Sequence, residues 1–207
     1  MGRPLLSILV CSIPSRVKNF LPFIIKELND QALGMPVEIL CLLDNKISSV
    51  GKKRNDLIAL AQGQYIAFVD DDDWVADDYV KSLCETIENS RSIFLGKEGK
   101  EPGPDVILFD AIVTLDGGPG KRCVYDLAMA RKDLDTHYER GPQHITATKA
   151  SLAKNILFQE ISLGEDFEWG WELQKRAESQ VKIPKTLYYY KFNSHYTETQ
   201  KKKAGEL

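Results

Sequence analysis

Between residues 5 and 90 the chain repeats one pattern three times, and that pattern restricts the fold more than any other feature. A short, nearly continuous apolar run is followed each time by a stripe of apolar residues at helical spacing. The runs are Leu5–Cys11, Val37–Leu43 and Tyr65–Val69, each reading as a strand buried on both faces. The first stripe is Val17, Phe20, Leu21, Ile24, Ile25 and Leu28, with Pro22 in the first turns of its helix. The second carries Val50, Arg54, Leu57, Ile58 and Ala61 and stops at Gly63; the third carries Tyr79, Val80, Leu83, Cys84 and Ile87. Strand–helix alternation with short connections predicts an α/β fold, a Rossmann-like doubly wound sheet flanked by helices.

The second half is less regular. Arg91–Pro104 reads as a polar surface loop leading into an apolar run at Asp105–Asp110. Gly117–Gly120 predicts a turn that closes a hairpin between Ile112–Leu115 and Arg122–Tyr125. A short helix near Ala150–Ile156, a helix over Asp166–Ala177 and an aromatic strand Leu187–Phe192 complete a mixed sheet. The expectation is one domain over residues 1–207, with a composition shift near residue 91 separating a 1–90 half from a 91–207 half.

A net charge of −3 argues against coating nucleic acid or an anionic membrane by bulk charge, though a local basic patch stays open. No apolar run is long enough to span a bilayer and no signal peptide opens the chain, so a soluble, cytoplasmic-type domain is expected. The four cysteines lack Cys-x-x-Cys spacing and read as reduced, small hydrophobes.

In an open α/β sheet, ligands collect beyond the carboxyl ends of the parallel strands. Those ends deliver Pro14, Ser15 and Arg16, then Asp44 and Asn45, then Asp70–Asp73. Four successive carboxylates repel one another unless water or a cation intervenes, and a hard divalent ion shared with a substrate phosphate is the economical reading. The alternative, an acidic helix start, accounts for Asp77 and Asp78 well, Asp73 in part, and Asp70 and Asp71 poorly. The offsets exclude an EF-hand, and neither a P-loop nor a Gly-x-Gly-x-x-Gly turn follows the first strand. Gly51–Arg54 opens a helix near the same edge; Lys52 and Lys53 read equally as exposed lysines or as diphosphate contacts, whereas Arg54 lies on the apolar stripe and points inward.

Gly51-Lys-Lys-Arg-Asn55, followed by Ala61-Gln-Gly-Gln-Tyr-Ile-Ala-Phe-Val-Asp-Asp-Asp-Asp-Trp74, resembles the core of the family-2 glycosyltransferases with the GT-A fold, in a short, phage- or bacterial-type form. Ser7–Arg16 is similar to the family's first strand, with Ser-Ile-Pro-Ser in place of Pro-Thr-Tyr-Asn, and Gly164-Glu-Asp-Phe-Glu-Trp169 resembles its Glu-Asp motif. The likeness is close over residues 5–80 and loose over 144–192. It implies an inverting transfer of sugar from a nucleotide-sugar, expected to be a UDP-sugar, with Mn²⁺ or Mg²⁺ as cofactor. It further implies that Pro14, Arg16, Asp44, Arg54, Asp70 and Asp71 bind the donor and that Asp72 holds the metal, Asp44 meeting the base and Asp70 the ribose. Asp166, beside Glu165, would take the acceptor's proton; without the family pattern, both carboxylates read equally as helix caps.

Three further positions stay open. His195, after the aromatic strand, is either a third metal ligand or an ordinary histidine, and His144 either lines the acceptor cleft or is hydrogen-bonded in the fold. Trp169, with Trp171, either floors the acceptor site or belongs to the core. The acceptor is expected to be a glycan or a hydroxymethylated DNA base, for which Lys97, Lys100, Lys121, Arg122 and Lys201–Lys203 would supply a basic surface. The competing functions are a catalytically silent nucleotide-sugar or carbohydrate-binding domain and, further off, a nucleotidyltransferase.

Overall fold

The computed structural model describes residues 2–96 and 101–194. Its centre is β1 (Leu6–Ser12), where Leu6, Ile8, Leu9 and Val10 are wholly buried. β1 pairs in parallel with β2 (Val37–Leu43) on one side and β3 (Tyr65–Phe68) on the other. Only β1 and β3 are buried on both faces as their apolar runs predict. β2 pairs with β1 alone, forms the edge of the sheet and is half exposed. An apolar run does not say how many neighbours its strand will have.

The connecting helices follow their stripes. α1 (Leu21–Ala32) has Pro22 in its first turn, where the missing N–H costs nothing. α2 (Val50–Leu60) is capped by Ser49, whose Oγ accepts the Lys52 N–H at 3.1 Å. After a two-residue strand, β4 (Trp74–Val75), α3 (Tyr79–Ser90) buries Tyr79, Val80, Leu83 and Ile87 and packs on α1.

The second half completes the same sheet. β5 (Val106–Leu115) turns at Asp116–Gly120 into β6 (Lys121–Tyr125), antiparallel, as the glycines predict. Gly117 carries the left-handed φ of 73° that the turn requires. β7 (Lys132–Asp133) and β8 (His137–Arg140) extend the sheet beyond β6. β9 (Ala147–Lys149) runs antiparallel between β3 and β5 and passes into α4, which spans Ala150–Ala153 and is shorter than expected. α5 (Glu165–Arg176) packs on α2 and α4, and β10 (Gln180–Phe192) lies parallel to β5, beginning well before its aromatic segment. Among the described residues no helix is long and apolar enough to cross a membrane.

Candidate active site

A cleft of about 490 Å³ opens at the carboxyl ends of β1 and β3. Its floor is built by α2. The stripe that buries Leu57 and Ile58 also buries Arg54, whose guanidinium lies over the rings of Phe68 and Phe158 at 5.1 and 5.5 Å. From there Arg54 Nη2 donates to Asp70 Oδ1 at 3.1 Å, and its Nε is 3.5 Å from Glu165 at the start of α5. Its Nη1 makes no hydrogen bond among the described residues, a buried donor at the wall of the cleft. One residue back, Lys53 is also buried and donates to Ser12 O at 3.1 Å and Asp44 Oδ1 at 2.7 Å, clamping the ends of β1 and β2 together. Lys53 is therefore neither the exposed lysine nor the free diphosphate contact that the helix start allowed.

The aspartate run divides by its surroundings. Asp70 is half-buried, but Arg54 and then His144 outweigh the cost of its partial desolvation and hold its carboxyl well below the ordinary range. Asp71 accepts from Ser12 Oγ and Arg16. Asp72 lies at the lip, with Arg16 Nη2 2.9 Å away. Desolvation, reinforced by the charges of Asp70 and Asp71 and opposed by Arg16, pushes the Asp72 carboxyl up to about 6. Asp73 points away into the core, where it accepts from Tyr188 Oη at 2.7 Å and the Lys191 N–H at 2.8 Å. Burial and the charges of Asp70 and Asp72 raise its carboxyl far above the usual value.

The opposite wall comes from the second half of the chain. His144, just before β9, places Nε2 3.2 Å from Asp70 Oδ2 and Nδ1 3.9 Å from Asp166 Oδ2. Gly164, with φ 83°, turns the chain into α5, whose first two residues are Glu165 and Asp166. Glu165 turns inward onto Arg54, and burial raises its carboxyl although Arg54 opposes the rise. Asp166 stays open to the cleft and accepts its neighbour Phe167's N–H at 3.0 Å. Two carboxylate groups thus face one cavity, one set in the loop after β3 and the other at a helix start.

The sequence profile described as Glycosyl transferase family 2 matches residues 24–102, a span that holds α2, β3 and the aspartate run. Over that span the chain is similar to family 2 of the glycosyltransferases. Poly(ribitol-phosphate) beta-glucosyltransferase of Bacillus spizizenii is 28% identical over 155 residues, covering 67% of this chain and 24% of the relative. Glycosyltransferase GlyA of Streptococcus pneumoniae is 24% identical over 155 residues, covering 72% of this chain and 22% of that protein. The chain therefore spans about a quarter of the length of the curated relatives it matches. The crystal structure of S. aureus TarS 1–349 superposes with a TM-score of 0.61 at 16% identity, over 90% of this chain and 60% of that one. TarS 1–349 in complex with UDP-GlcNAc gives 0.61 at 15% identity, over 90% and 58%. These likenesses show the GT-A fold.

Of the site residues expected from the sequence, Arg16, Arg54, Asp70, Asp71, Asp72, His144, Glu165 and Asp166 line this cleft. Pro14 sits exposed in the 3₁₀ turn Pro14–Arg16, outside the lining. Asp44 also lies outside it. Burial works against the Asp44 charge, but Lys53 and the Ser48 N–H (2.7 Å) hold its carboxyl below the usual range. Trp169 does not line the cleft: it is 2% exposed, stacks on Phe158 at 4.9 Å and donates from Nε1 to Ile156 O at 3.0 Å. The core alternative is the one realised, because the inward face of α5 falls on Trp169. His195, Lys97, Lys100 and Lys201–Lys203 lie outside the described residues. Arg122 is spent on buried Asp110, and Lys121 lies over Tyr138 at 4.2 Å.

Sequence reasoning missed Ser12, Gln143, Tyr188 and Tyr190 as lining residues. For the tyrosines a signal existed, since positions 188 and 190 alternate along a strand and share a face. For Gln143 there was none, because no local pattern announces a loop brought back across β3.

Proposed function

We propose that this chain transfers a sugar from a UDP-sugar to a hydroxyl of a glycan or polyol-phosphate acceptor, with inversion at the anomeric carbon and with help from a divalent cation. The observation that carries the reading is His144, which touches Asp70 on the donor side and approaches Asp166 on the other within a single cleft. In this reading Asp166 removes the acceptor's proton, the freed oxygen attacks the anomeric carbon, and the bond to the diphosphate breaks with its electron pair leaving on UDP. Attack from the face opposite the leaving group inverts the centre. Arg16 at the lip, and Arg54 through its Nη1, are the cations suited to the diphosphate.

No group of three or more His, Cys, Asp or Glu among the described residues is arranged to hold a metal by itself. A donor-bound Mg²⁺ or Mn²⁺ does not need one, since one or two carboxylates and the substrate's phosphates suffice. Asp72 fits that part: a carboxylate at the lip whose charge is poorly compensated by Arg16 alone. A cation held there would stabilise charge on the departing diphosphate. The polyol-phosphate class is supported by the name of the Bacillus spizizenii relative.

The test is UDP release from a panel of UDP-sugars, with and without Mn²⁺. A ribitol-phosphate oligomer, free sugars, lipid-linked sugars and hydroxymethyl-pyrimidine DNA serve as acceptors. Metal-dependent UDP release stimulated by the oligomer or a sugar is the expected result. Stimulation by DNA alone overturns the acceptor assignment, and UDP binding with no release under any acceptor makes the chain a binding module.

A further inference from the structure

A second cavity, of about 430 Å³, lies on the far side of the start of α5. Asp166 lines the catalytic cleft, and the next residue, Phe167, lines this one. Arg131, Arg140 and Gln143 line both, so the two spaces meet along one edge.

Its wall is firmly built. Gln174 Nε2 donates to Leu127 O and Met129 O, both at 2.8 Å, tying the loop after β6 to α5. Gly170 lets α5 approach so closely that a Cβ there would sit 2.9 Å from Pro142 O. Onto this frame α5 presents Phe167 and Trp171, four residues apart on one face and 49% and 53% exposed. Two large aromatic rings left in water beside a cavity need a reason. Flat apolar rings with cations at their edges suit the C–H faces of a sugar or polyol.

Charge narrows the ligand. Arg140 is fully engaged, with Lys132 O, Glu139 O and Asp133. Arg131 differs: it forms no hydrogen bond or ion pair among the described residues, and its guanidinium rests over Phe167 at 5.5 Å. Lys175 Nζ lies 3.4 Å over Trp171. Asp133 feels the charge of Arg131 without forming an ion pair with it, and a guanidinium with no hydrogen bond among the described residues at the junction of the two spaces favours an anion, phosphate being the group its fork matches.

We propose that the second cavity holds the acceptor chain: the sugar or polyol unit adjoining the one whose hydroxyl reaches Asp166, with a chain phosphate on Arg131. The inference rests on the transfer reading above and adds where the acceptor lies and what recognises it.

The test is binding of a ribitol-phosphate oligomer followed by the Trp171 indole N–H signal, with a neutral maltooligosaccharide of equal length as control. The expected result is a shift of that signal by the phosphate oligomer in the wild type, with affinity measured by calorimetry about tenfold lower in Trp171→Ala and in Arg131→Gln and restored in Trp171→Tyr. In turnover, Trp171→Ala raises KM for the oligomer by a similar factor. It leaves kcat and acceptor-free UDP release unchanged. Wild-type affinity in both variants, or equal binding of the neutral chain, overturns the proposal. The two readings fail separately. A Trp171 shift without turnover of any donor leaves the subsite standing and removes the transferase. Oligomer-stimulated UDP release with unaltered KM in Trp171→Ala does the reverse.

Discussion

His144 Nδ1 lies 3.9 Å from Asp166 Oδ2 and makes no hydrogen bond among the described residues, while the same ring's Nε2 is 3.2 Å from Asp70. One buried imidazole thus spans the donor-side carboxylate and the proposed base. His144→Ala should lower kcat by about ten- to a hundredfold, the scale of a misplaced reacting group, while UDP affinity changes little. Steady-state kinetics and calorimetry with UDP separate the two. An equal loss in both would confine His144 to the donor side.

Asp166→Asn keeps the shape of the side chain and removes its basicity. Turnover should fall by about 10²- to 10⁴-fold, with UDP binding and its metal dependence retained. Turnover near that of wild type would rule Asp166 out as the base.

Asp72→Asn should abolish metal-dependent UDP binding and at the same time stabilise the fold. The Asp72 carboxyl is raised from 3.8 to about 6, so its protonated form is favoured on folding and that advantage is lost as pH rises through 6. Relative to wild type the variant should gain about 2–3 kcal/mol at neutral pH, with the difference vanishing below pH 4. Urea unfolding at two pH values measures it. A variant less stable than wild type at pH 7.5 would contradict the electrostatic picture.

Arg54→Met leaves Asp70 and Glu165 without their buried cation. Breaking such a pair from one side costs about 3–5 kcal/mol. Asp70, whose carboxyl is held low, contributes stability above the ordinary carboxylate range and loses it as pH falls. The deficit of the variant should therefore be largest at neutral pH and shrink in acid. Chemical denaturation across pH 3–7 tests this, and a deficit that does not change with pH would mean that Arg54 acts mainly through its stacking on Phe68 and Phe158.

Much of the donor half could be read directly. The inward turn of Arg54 follows from its place on the stripe with Leu57 and Ile58, because helical spacing is a local property. Lys53 shows the limit. The same stripe left it at the margin, and only the neighbouring ends of β1 and β2, with Ser12 O and Asp44, make its burial favourable. Trp169 and Trp171 are two residues apart on one helix; one joined the core and the other stayed in water, according to where α4 and the loop before β9 happened to pack.

What the chain determined by itself is the repeated strand–helix alternation and the loops of carboxylates that must follow its strands, since periodicity and chain reversal depend on neighbouring residues. Only the tertiary structure decided that β9 inserts antiparallel between β3 and β5, carrying His144 onto Asp70. It also decided that α5 begins across the cleft, with Glu165 on Arg54 and Asp166 open to the cleft. Pairing between strands some eighty residues apart is set by the packing of the whole sheet, and no local pattern encodes it.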